Sequence, residues 1–189
     1  MHKSLNSCSY KYILMDFQNK LYEAVRDVPD FPKPGIIFKD ITPILKNQEL
    51  CSYVLDELEN EFQGKGIDAV AGIESRGFLF GMGLANRLNV PFIPIRKAGK
   101  LPYSTYSETY ELEYGSAEIE IHTDALDGIS KVLIHDDLLA TGGTAEAAAK
   151  LIGKHAAVAG FSFLIDLEFL NGEQKLKQYS NIIHSLLKY

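Results

Sequence analysis

Residues His135 to Ala145, HDDLLATGGTA, place two carboxylates side by side and, after three apolar residues, a threonine-glycine loop. Adjacent carboxylates suit a metal ion or the hydroxyls of a sugar. A loop made of Thr141, Gly142, Gly143 and Thr144 that opens onto an alanine-rich stretch suits a phosphate. The glycines let the backbone bend tightly and approach a ligand. The N–H groups of the first helical turn, with the positive end of the helix dipole, complete an anion site. The Lys-Ser/Thr ending of a P-loop is absent. Taken separately, the loop is an ordinary turn and the acids a solvated loop. Together at the end of an apolar strand they call for one ligand with both parts, a sugar phosphate. Its hydroxyls would donate to Asp136 and Asp137, and its phosphate would lie on the residues from Ala140 to Thr144.

Further stretches carry chemistry of their own. ESRG, residues 74–77, follows an apolar run and opens a helix, so Ser75 and its neighbouring amides suit a second anion, with charge from Arg76. RKAGK sets Arg96, Lys97 and Lys100 just past another apolar run. Such a run is often a solvated loop, but three cations at the ligand end of a sheet in an acidic protein also fit a polyanionic leaving group. From Pro29 to Pro43 inclusive the chain has four prolines, which exclude a regular helix or central strand and define a shaped loop. Phe38, flanked by Ile37 and Lys39, is either its anchor in the core or a stacking surface. Glu113 stands in a glutamate-rich stretch, where it is equally a solvated strand residue or a sequestered acid.

The elements that must position these residues follow from periodicity. Helical spacing is present at Phe17, Leu21, Ala24, Val25 and Val28, and again at Leu50, Val54, Leu58 and Phe62. Short apolar runs at 67–73, 90–95, 131–135 and 157–167 are buried strands, with helices over 76–88 and about 143–154 between them. That order predicts an α/β fold, with a mostly parallel central sheet flanked by helices. SAEIEIH, residues 116–122, alternates instead. Ala117, Ile119 and Ile121 share one face, and Glu118, Glu120 and His122 share a wet one, as in an antiparallel flap hairpin.

A length of 189 residues allows one sizeable domain, and 46% apolar with 23% charged content is that of a globular protein. The net charge of −6 argues against a nucleic-acid partner. Two cysteines, Cys8 and Cys51, form neither a disulfide framework nor a zinc site. No apolar run approaches a membrane span, and residues 1–14 lack the apolar core of a secretory signal, so a cytoplasmic protein is expected. Residues 1–15 are expected to be a disordered extension, and 16–189 a single domain.

VLIHDDLLATGGTA resembles the ribose-phosphate signature of type I phosphoribosyltransferases. DFPKPGIIFKDITPIL, AGIESRGFLFG, IRKAGKLP and YELEYG resemble, in order, the branch of that family that acts on adenine, over about residues 16–189. The resemblance implies the type I phosphoribosyltransferase fold and transfer of a phosphoribosyl group from phosphoribosyl pyrophosphate (PRPP) to adenine. It gives Asp136, Asp137 and the stretch from Ala140 through Thr141, Gly142 and Gly143 to Thr144 to the ribose and 5′-phosphate. Ser75, Arg76, Arg96, Lys97 and Lys100 go to pyrophosphate, with a cis peptide before Ser75. Adenine would stack on Phe38, be recognised by the backbone of Ile37 and Lys39, and meet Leu138 on its other face. Lys39 stands where many relatives have arginine, which matters little for a main-chain contact. Glu113 would assist at N7 and Arg96 at the leaving group. Mg²⁺ would arrive with PRPP rather than through protein ligands, and a homodimer is implied. Two alternatives stay open: an enzyme for another base, and a non-catalytic sensor of PRPP.

Overall fold

A computed structural model describes residues 7–111 and 115–189, with side chains described from residue 16. The chain divides into two compact units, residues 1–54 and 55–189, the division falling within a helix.

In the first unit, helix α1 (Ser7–Ala24) begins inside the segment set apart above as 1–15. It buries Leu21, and Phe17 stacks on Tyr53 with ring centroids 5.2 Å apart. The helical spacing through Val28 overshoots. Strand β1 (Arg26–Pro29) follows at once and pairs antiparallel with β2 (Ile37–Asp40), Val28 opposite Phe38. Between them the proline loop is closed by Asp30, whose carboxylate accepts the Gly35 N–H at 2.7 Å. Asp40 then accepts both the backbone N–H and the hydroxyl of Thr42, at 2.9 and 2.8 Å, and starts the short helix α2 (Thr42–Leu45). Helix α3 (Gln48–Phe62) buries Leu50, Val54, Leu58 and Phe62, the four residues whose spacing predicts it.

The second unit is built on β3 (Ala69–Ile73), α4 (Gly77–Leu88), β4 (Phe92–Lys97), β5 (Thr105–Glu111), β6 (Ser116–His122), β7 (Lys131–Leu139), α5 (Gly143–Gly153), β8 (Ala157–Asp166), α6 (Gly172–Leu176) and β9 (Ile183–Lys188). Its seven-stranded sheet has the order β5-β6-β4-β3-β7-β8-β9. Strands β4, β3, β7, β8 and β9 run parallel, and the β5–β6 hairpin joins antiparallel through β4. The expected α/β architecture and its flap hairpin are therefore present. Every residue of β3 is buried, as a strand covered on both faces requires. Ala147, Ala148 and Ala149 of α5 are buried, and their small side chains let that helix lie close to the sheet.

One expectation for the hairpin fails. Glu120, assigned by alternation to the wet face, is buried at 6% exposure, while Glu118 stays exposed and His122 is half-buried. The cause is the segment from Lys100 to Thr105, which folds over Glu120 and hands it three hydrogen bonds.

Candidate active site

Both acids of the opening motif lie within β7 rather than after it, because the ladder with β8 continues from Asp136 opposite Phe163 to Leu139 opposite Asp166. Asp136 is half-buried, and its Oδ1 accepts the Asp137 N–H at 2.9 Å. Asp137 is 2% exposed, and Arg76 Nε lies 3.2 Å from its Oδ2. That ion pair exists because α4 begins with Gly77. A Cβ there would meet the His135 carbonyl oxygen at 2.7 Å, so only glycine lets the helix start so close to β7. Burial raises the Asp136 carboxyl well above its ordinary value, and the neighbouring Asp137 charge raises it further. Burial also raises Asp137, against the opposing pull of Arg76. Poor hydration thus disfavours charge on the pair, and donors that replace water would favour it.

The chain then turns through Ala140 and Thr141 to Gly142, whose φ of +78° caps α5. The Gly142 carbonyl accepts the Glu146 N–H at 2.8 Å. A cavity of about 90 Å³ is lined from Asp136 and Leu138 through Thr141 and Gly143 to Thr144. Whole ligand pockets run to roughly 300–1,000 Å³, so this is a subsite for a group of phosphate size. The cavity therefore brings together Asp136, Leu138 and all the residues from Ala140 to Thr144 expected there, while Asp137 is not among its lining residues and pairs with Arg76.

A second cluster forms where β3 and β4 end. The Glu74–Ser75 peptide is cis, and Ser75 is exposed. Glu74 Oε2 accepts from Arg96 Nε at 3.1 Å and from the Lys97 N–H at 3.0 Å. Burial works to raise the Glu74 carboxyl, but the Lys97 N–H and the Arg96 guanidinium outweigh it and hold the group below its usual range. Arg96 Nη1 donates to the Lys100 carbonyl at 3.1 Å, while the side chains of Lys97 and Lys100 extend into solvent. Glu74 and Glu120 were not singled out from the sequence. Glu74 could have been, as the charge beside Ser75; Glu120 could not, since alternation points it the wrong way.

Ile37, Phe38 and Lys39 belong to the first unit. There the Phe38 ring meets Phe31 edge-on at 5.2 Å, and Lys39 Nζ lies 2.7 Å from Asp27. Glu113 lies outside the described residues. On the flap, Thr144 Oγ1 donates to the Tyr110 hydroxyl at 3.4 Å, a weak link from the phosphate loop to β5.

Behind the acid pair, His135 is fully buried, with Nδ1 3.0 Å from Ser162 Oγ. Burial lowers its pKa from 6.5 to about 4. A base with a depressed folded-state pKa contributes stability that is complete above about 6.5 and lost as pH falls toward about 4, here up to roughly 3 kcal/mol. The raised acids have the opposite sign and gain stability on acidification, so the histidine must be isolated by difference. The stability gap between wild type and His135→Asn, from thermal unfolding, is expected to shrink steadily from pH 7 to pH 4. A gap independent of pH would show that the ring is not held neutral.

The phosphoribosyl transferase domain family matches residues 41–179, and the chain belongs to that family. The adenine phosphoribosyltransferase of Cytophaga hutchinsonii is 50% identical over 173 residues, 91% of this chain and 96% of that protein. Among solved structures, adenine phosphoribosyltransferase from Thermoanaerobacter pseudethanolicus matches with a TM-score of 0.86 at 49% identity, covering 91% of this chain and 99% of that one. The Saccharomyces cerevisiae adenine phosphoribosyltransferase, solved with an imino-altritol bisphosphate and adenine, gives 0.82 at 40% identity over 92% of this chain and 99% of that one. Within the family, these likenesses place the chain among the adenine phosphoribosyltransferases.

Proposed function

We infer that the chain transfers the 5-phosphoribosyl group of PRPP to adenine, giving AMP and pyrophosphate in purine salvage. The observation that carries this is that Asp136 of β7 opens into the same cavity as the Gly142 loop of α5, with Asp137 beside it in the strand. In the reaction the C1′–O bond of PRPP breaks, and its electron pair leaves with pyrophosphate. Adenine N9 then bonds to C1′ and gives up its proton. Charge develops on the leaving group and on an oxocarbenium-like ribose, so catalysis is mostly electrostatic and positional.

Asp136 and Asp137 accept from the ribose hydroxyls, and the amides and hydroxyls from Ala140 to Thr144 hold the 5′-phosphate. Ser75, Arg76, Arg96, Lys97 and Lys100 hold the pyrophosphate. Phe38 supplies the stacking face for adenine, the backbone of Ile37 and Lys39 its polar recognition, and Leu138 a further apolar contact. Glu113 is assigned to N7 of the base. Closure of the flap excludes water, whose attack would consume the activated ribose.

Among the described residues no three His, Cys, Asp or Glu side chains group so as to hold a metal ion. With one of the two adjacent carboxylates already paired with Arg76, Mg²⁺ would arrive on the oxygens of PRPP and water rather than through protein ligands. When bound, that ion supplies positive charge to the departing pyrophosphate. A homodimer is part of the same reading, and the exposed apolar Leu79 and Met82 on α4 suit it. So is a cytoplasmic location; among the described residues no helix is long and apolar enough to cross a membrane.

An assay with PRPP, Mg²⁺ and a panel of bases tests the function. AMP is expected from adenine, with 6-oxo purines used on the order of 10⁴-fold less efficiently because their donor and acceptor edges are reversed. PRPP binding without AMP formation would replace the enzyme with a sensor.

A further inference from the structure

We infer that Glu120 is a positioning residue for the pyrophosphate clamp: from inside the flap hairpin it fixes the backbone that carries Lys100 and braces Arg96. This rests on the reading of Arg96, Lys97 and Lys100 as that clamp.

Glu120 lies in the middle of β6, opposite Arg96 in the β4–β6 ladder. A buried carboxylate is costly unless its oxygens are satisfied. Here they are, and by one short segment of chain. Oε1 accepts the backbone N–H groups of Lys100 and Leu101, each at 3.1 Å, and Oε2 accepts the Thr105 hydroxyl at 3.2 Å. The segment between β4 and β5 has little regular structure to hold it. It turns at Gly99, with φ +77°, and is tied back by the Ala98 N–H to the Glu118 carbonyl at 3.0 Å.

Lys100 is gripped on both sides. Its N–H goes to Glu120 and its C=O accepts Arg96 Nη1, while Arg96 Nε is held by Glu74. Two carboxylates, one at the end of β3 and one in the flap, thus set the place of two cations. Neither needs to touch substrate. A leaving group stabilised by pre-placed charge loses that stabilisation when the charges wander, so the brace bears on pyrophosphate and not on the nucleoside end. A residue that merely held the hairpin together would affect both ends alike.

The reverse reaction separates the two ends, because AMP and pyrophosphate are varied independently in the full-length protein. Losing charge-assisted bonds to two amides is expected to raise KM for pyrophosphate roughly tenfold in Glu120→Ala, with KM for AMP changed by less than about twofold. Hydrogen exchange at the Lys100 and Leu101 amides should accelerate in the same variant. Glu120→Gln, whose carbonyl still accepts both N–H groups, should recover most of the loss. Lys100→Ala gauges the clamp itself. If Lys100→Ala raises KM for pyrophosphate and Glu120→Ala does not, or if Glu120→Ala moves both KM values equally, the role given to Glu120 is wrong while the clamp stands. If neither Lys100→Ala nor Arg96→Ala moves it, the clamp reading itself fails. Should Glu120→Ala not fold, Thr105→Val removes the Oε2 donor alone. A rise of about threefold confined to pyrophosphate then supports the brace, and no change overturns it.

Discussion

Asp137→Asn is expected to lower kcat/KM for PRPP by roughly 10²-fold, because a ribose hydroxyl loses a charged acceptor worth about 1.5–3 kcal/mol. The side chain is 2% exposed, so water cannot stand in for the missing charge. Arg76, 3.2 Å away, also loses its counter-charge and with it a fixed orientation toward the pyrophosphate side. Initial rates over a PRPP series measure the effect, and an unchanged kcat/KM would remove the acids from the ribose. Stability should respond differently. Burial raises both carboxyls, so each favours the fold below its unfolded pKa and loses that contribution as pH rises through the higher folded value. The charged form of the pair therefore works against folding. Asp136→Asn, which keeps an oxygen for the Asp137 N–H, should accordingly show a Tm at least equal to wild type while activity falls. Sites that hold charge for a ligand commonly show this opposition of stability and activity.

The second large effect is expected at the cap of α5. Gly142→Ala places an L residue at φ +78°, costing about 1–2 kcal/mol, and its Cβ would lie 2.7 Å from the Gly172 carbonyl oxygen. That neighbour is backbone and cannot swing aside, so overpacking adds roughly 1–3 kcal/mol. Together these should lower Tm by about 10 °C in a chain of this size. The displaced loop should also raise KM for PRPP by at least about tenfold, since its amides no longer converge on one point. Gly143→Ala is the control for stability. Only Thr141 Oγ1, at 4.0 Å, would be near its Cβ, and its φ is ordinary. Equal Tm values for the two variants would contradict the assignment of Gly142 as the strained cap.

The parts of this fold legible in the sequence are those set by local pattern. The apolar runs at 67–73, 90–95 and 131–135 became β3, β4 and the start of β7, because strands covered on both faces leave no room for polar residues. Leu50, Val54, Leu58 and Phe62 named the buried face of α3 for the same reason. What local pattern missed depends on distant pairing. Val28 fits a helical repeat, yet it lies in a strand because Phe38 is across from it. Strand β7 runs on through Asp136 and Asp137 because β8 continues beside it. Strand β9 has no strong alternation of its own and exists by pairing with β8. In the site, the glycine loop and the acids were legible as chemistry. Their bond to Arg76 was not, since it depends on the close approach of α4 that Gly77 permits.

The sheet order has one more consequence. Strand β3 lies between β4, whose end carries the proposed clamp, and β7, whose end carries the proposed ribose-phosphate loop. Two strand spacings separate these ends, about 10 Å. The gap is a backbone distance, and changing a side chain does not reset it. The sheet therefore acts as a caliper. With the sites as proposed, a donor with anionic groups at both C1 and C5 would span its jaws, each end raising the effective concentration of the other. Ribose 5-phosphate or pyrophosphate alone would occupy one jaw and gain nothing from the second. On that reading, selection of the donor would be made by length and charge together, before any bond is broken.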